Sequence, residues 1–77
     1  MVDEEVIKDA LISHAQGHID KHVANVKILM SKAVGIGEHG DVLEEIEKEL
    51  KIVAEYNDEI EMINRYIFPK TGYENLP

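Results

Sequence analysis

His14, His18 and His22 recur at intervals of four in a stretch without proline, so on a helix they stand in one row. Adjacent members of such a row can chelate a borderline metal such as zinc or nickel through imidazole nitrogens. The whole row cannot close on one ion, because His14 and His22 would stand ~12 Å apart along the axis. A metal site would need a further ligand from elsewhere in the chain, and Glu49 is the nearest plausible donor. The Glu-x-x-His signature of di-iron bundles is absent, as is His-Glu-x-x-His. The simpler expectation is no metal. His18 and His22 then form a polar layer in a helical bundle, hydrogen-bonded to Asn57 and to Tyr56, which fixes register and partner at some cost in stability. Such histidines, buried neutral, would take up charge on acidification and weaken the bundle below about pH 6, provided desolvation outweighs the surrounding acids.

Nothing else in the chain assembles into a reaction centre. Ser13 and Ser31 lack an elbow motif around them, and no pair of carboxylates falls in an apolar pocket that would split their acidities. Gly35, Gly37 and Gly40 spell G-x-G-x-x-G, but a dinucleotide site needs a strand before the glycines, and a long helical pattern precedes these. Glu38 and Asp41 would also face the phosphates. The stretch reads as a helix–helix turn, with one glycine in a left-handed conformation ending the first helix and His39 solvated in the loop. The chain is expected not to be an enzyme and to need no cofactor.

Two helices must position these residues. The first runs over about 3–32, capped by Asp3, with Glu4 and Glu5 at the positive end of its dipole. Its inner face carries Ile7, Leu11, Ala15, His18, His22 and Leu29, with Ile12, Ile19, Val23, Val26 and Met30 alongside. Asp9, Gln16, Asp20 and Lys27 lie opposite. Gly17 lowers its helix propensity, and close approach by another backbone is the expected reason. A glycine-rich turn follows over 33–40. The second helix, about 41–68, opens on an Asp41-x-x-Glu44 capping box and ends at Pro69. Ile46, Leu50, Val53, Asn57, Ile60, Asn64 and Ile67 follow one another at steps of four and three, a seam interrupted twice by asparagine. Glu44–Lys48, Glu47–Lys51 and Glu61–Arg65 are spaced for surface pairing.

The fold class is therefore all-α: an antiparallel two-helix hairpin over 1–68 in which facing residue numbers sum to roughly 74. That register sets Met30 against Leu43, His22 near Ile52 and Val53, and His18 near Tyr56 and Asn57. A lone hairpin leaves half of each apolar stripe wet, so the expected assembly is a homodimer or higher oligomer, a four-helix bundle. Its interface would use Leu11, His18, His22, Val26, Leu29 and the seam of the second helix. Residues 69–77 form an extended tail. Phe68, Tyr73 and Leu76 could dock it on a neighbouring chain; otherwise it folds back over its own bundle end or is disordered.

Charge narrows the partners. Of the net −8 in 77 residues, −6 falls between Asp41 and Phe68, where nine acids face three bases. That surface repels phosphate backbones and lacks the basic face that an anionic bilayer attracts, so neither direct nucleic-acid binding nor a membrane role is expected. There is no cysteine, no apolar run as long as a membrane span, and an acidic start unlike a signal peptide. A cytoplasmic rather than secreted protein is expected.

Three stretches carry a resemblance: His14-Ala-Gln-Gly-His-Ile-Asp-Lys-His22, Gly35-Ile-Gly-Glu-His-Gly-Asp41, and the run from Glu44 to Glu61-Met-Ile. Over residues 10–67 or so the chain resembles short proteins encoded by tailed bacteriophages of marine bacteria, T4-like cyanophages among them. The resemblance implies a context, in the host cytoplasm or the virion, and no activity. The reading it favours is a non-enzymatic assembly protein, a small virion component or an accessory factor that binds a phage or host protein. The alternatives are a metal-binding bundle built on the histidine row, and an acidic mimic of nucleic acid that blocks a basic host protein.

Overall fold

Asp3 opens the first helix by accepting a hydrogen bond from the Val6 backbone N–H at 2.9 Å, while its own carbonyl accepts from Ile7 N–H at 3.2 Å. The side-chain bond satisfies one of the otherwise unpaired first-turn donors, and the carbonyl bond is the first of the helical ladder. The computed structural model describes residues 3–35 and 40–69. Helix α1 spans Glu4–Gly35 and helix α2 spans Gly40–Met62, which continues as a π-helical turn over Ile63–Ile67. The two helices pack against each other as an all-α hairpin.

Helix α1 thus runs three residues past the expected Lys32, and α2 begins one residue before Asp41. Asp41 lies in the first turn of α2 rather than capping it, where its charge still favours the positive end of the dipole. The expected left-handed glycine is neither Gly35 nor Gly40, since no described residue has positive φ, and Gly37 and His39 lie outside the described residues.

The far end of α2 departs from the sequence reading. Proline disfavours helical conformation in the residue before it. Phe68, held at φ −125° and ψ 58° ahead of Pro69, donates its N–H to the Ile63 carbonyl at 2.9 Å, five residues back. The wider turn sets Phe68 above Ile63 on the inner face. Phe68 becomes half-buried on its own hairpin, with the Lys8 ammonium 6.0 Å from the ring centroid. Ile67, expected to close the seam, is turned out and 64% exposed.

Each helix presents its neighbour with a line of residues seven apart. On α1 this is Lys8, Ala15, His22 and Leu29; on α2 it is Val42, Glu49, Tyr56 and Ile63, all buried or half-buried. A second line on one side, Ile12, Ile19 and Val26 on α1 with Ile46, Val53 and Ile60 on α2, is half-buried. The register is close to the expected one: His18 meets Tyr56 and Asn25 meets Glu49, both pairs summing to 74.

The centre is thin. Among the described residues only Ala15, Val42 and Ile63 are buried, and no large side chain is fully so. At 14 Å in its shortest dimension the chain is one layer of helices. Among the described residues, no helix is long and apolar enough to cross a membrane.

Candidate functional site

The two sides of this layer differ in chemistry. At 100° per residue, the residues that flank the packing line of each helix fall on opposite edges of the hairpin. One edge holds the histidine row together with the exposed Ile7, Leu11 and Ile28. The other is apolar toward the turn and carries Asp9, Gln16, Asn57 and Asn64 further from it.

On the histidine edge, the His14 and His18 rings meet edge to face with centroids 4.7 Å apart. His18 lies flat on Tyr56 at 4.4 Å and 4° between planes, and nearly parallel to His22 at 6.3 Å. His22 Nδ1 donates to Glu49 Oε2 in a very short contact, and Asn25 Nδ2 donates to Glu49 Oε1 at 3.3 Å. One carboxylate from α2 therefore receives two donors from successive turns of α1. The His22 bond is the chief reason why Glu49 titrates below the ordinary carboxylate value. Partial burial opposes the shift, while Asn25 and the charges of His22 and Lys21 assist it. Beyond this cluster an open groove of about 420 Å³ runs toward the turn, lined by Ile28, Leu29, Lys32, Glu45 and Lys48 together with Asn25 and Glu49.

The row is thus assembled as one helical face, and Glu49 is brought to it, but as a hydrogen-bond acceptor of His22. Among the described residues no three His, Asp or Glu side chains converge as metal ligands. The carboxylate–imidazole pair has the form that orients a general base. Neither Ser13, which lines the hollow over His14, Gly17 and His18, nor any other hydroxyl lines the groove beside His22.

Of the two expected neighbours of His18, it is Tyr56 that lies on the ring. His22 bonds Glu49. The cause is one rotation of α2. Its inner line is 42, 49, 56 and 63, so Asn57, one step of 100° further round, is carried with Asn64 to the edge that Leu43 and Leu50 occupy, where both are exposed. His22 accordingly has a carboxylate neighbour. Sequence reasoning had named Glu49 only as a metal donor and missed Asn25; a carboxylate near the level of a histidine was the available signal.

The apolar edge collects Val23 and Met30 of α1 with Leu43 and Leu50 of α2, beside the half-buried line of Ile12, Ile19, Ile46, Val53 and Ile60. Met30 and Leu43 are each 56% exposed and Leu50 is 50% exposed. Of the other expected interface residues, Val26 and Leu29 are half-buried within the hairpin, while Leu11 is exposed on the histidine side. Tyr73 and Leu76 lie outside the described residues. The spaced acid–base pairs are not closed. Among the described residues His22–Glu49 is the one ion pair within 4.0 Å, as expected where water competes for exposed charges. No family model, curated protein or solved structure matches the chain.

Proposed function

We propose that this hairpin is a protein–protein assembly module whose apolar edge is covered by a second copy of the chain, giving a four-helix bundle. The observation that carries this reading is the single layer itself. Domains bury their apolar faces between at least two layers of secondary structure. Here Met30, Leu43 and Leu50 stand half open to water on one continuous side, and no large side chain among the described residues is fully enclosed. Area supports the same reading. A folded chain of 8.7 kDa ordinarily exposes about 4,700 Å². This one exposes 6156 Å². A stable interface takes roughly 800 Å² from each partner.

The reading is non-catalytic. The histidine edge, with its bonded His22–Glu49–Asn25 cluster, would remain outside the bundle core and offer a second surface. A setting as virion component or accessory factor rests on the sequence resemblance alone. Sedimentation at micromolar concentration tests the assembly. The wild type is expected at twice the chain mass, and Leu50→Asp, which places a charge in the covered face, is expected at the chain mass or unfolded. A helical, monodisperse wild-type monomer would overturn the proposal.

A further inference from the structure

We infer that the two copies lie side by side with their turns at the same end, so that α1 of each packs on α2 of the other and the two acidic helices sit diagonally. This inference rests on the dimer proposed above and specifies its geometry. Two single-layer hairpins that bury the same face are related by a two-fold axis lying between the layers. Only two orientations of that axis keep the helices roughly aligned. An axis across the helices lays α1 on α1 and α2 on α2, with the turns at opposite ends. An axis along them lays α1 on α2, antiparallel, with the turns together.

Charge separates the two. Helix α2 holds nine acids and two lysines, a net −7, whereas α1 holds four of each and is neutral with its histidines uncharged. The crosswise axis would press two −7 helices together along their length. The lengthwise axis interposes a neutral helix between them, and like charges cost less at the diagonal of a bundle than side by side.

The rim of the apolar edge fits the same arrangement. With the turns together, each α1 sees the partner's α2 at the level of its own, so facing numbers again sum to about 74. Lys27 then stands across from the partner's Glu47, and Asp9 across from the partner's Arg65. Asp20, which would suffer most from another acid, faces the partner's Ala54. All four charged positions on this chain, Asp9, Lys27, Glu47 and Arg65, are exposed in the hairpin and free to pair. Along the middle, Val53 and Ile60 of each copy would approach their counterparts near the axis.

The absence of cysteine from the chain makes the test direct. Ser31, exposed in the last turns of α1, is changed to Cys and spin-labelled, and the distance between labels is measured by pulsed electron resonance on the full chain. Sedimentation of the labelled protein is run alongside, and circular dichroism checks that it is helical. Turns together predict a distance near 25 Å, set by the diagonal of a bundle with about 10 Å between neighbouring axes. Turns apart predict about 40 Å, because residue 31 lies some twelve residues beyond the middle of α1 in each copy, at 1.5 Å per residue. A dimer with the short distance supports the arrangement. A dimer with the long distance overturns it and leaves the dimer standing. A helical monomer overturns the reading beneath it.

Discussion

Glu49 is the residue on which the histidine edge depends. It is the acceptor for two donors on α1, and these are the side-chain hydrogen bonds that join the two helices among the described residues. Its acidity is increased in the fold, chiefly by the His22 bond, below the ordinary value of 4.5. A carboxylate with a lowered value contributes stability that is present above its ordinary value and is lost as pH falls through the lowered one. Glu49→Gln should therefore melt lower than the wild type at neutral pH, and the gap should close as the pH is taken from 5 to 3. A gap of constant width down to pH 3 would mean that the charge of Glu49 is not what holds the helices there. The sequence made the histidine row and the nearness of Glu49 legible, because helical spacing fixes a row and hairpin register fixes a level. It did not reveal that Tyr56 rather than Asn57 would lie on His18. Those neighbours differ by 100° about the α2 axis, and that angle is settled by packing.

At the scale of elements, Gly17 in the interior of α1 is the clearest departure from helix chemistry. The expected reason was close approach by another backbone, yet a Cβ placed there would meet nothing within 4 Å. In the dimer proposed above Gly17 also faces away from the covered edge. Replacing it with Ala should thus stabilise by about 1 kcal/mol through backbone entropy and propensity alone. That corresponds to a rise in melting temperature of about 4–8 °C for a domain of this size. A fall on Gly17→Ala would show that some other chain lies over this part of α1. Both helices and their antiparallel register could be read from apolar periodicity, because each carries several turns of pattern. The π-helical turn could not. It occupies five residues, less than two turns of a helix, and only Pro69 announced that the helix had to end. The displaced Ile67 and the inward Phe68 follow from that one extra residue in the turn.

At the scale of the molecule, the hairpin holds together along a narrow line of contact. The seam at Ile46, Leu50, Val53, Asn57, Ile60 and Asn64 was legible as a seam, but a sequence cannot say which chain stands on its far side. In the structure its Ile46, Val53 and Ile60 are shared with α1, while Leu50, Asn57 and Asn64 point away. If the second layer is a second copy, as proposed above, folding and association occur in one step, and the melting temperature should climb by several degrees between about 1 and 100 µM. A melting temperature indifferent to concentration would mean that a single layer suffices. The thinness of that layer reaches beyond the test tube. If a sister molecule completes the interior, as proposed above, the protein exists as a folded object only above a threshold of supply, and scarce copies are left to the proteases that clear open chains. Synthesis rate would then act as the switch: a burst of production yields a durable population, and a trickle yields almost none.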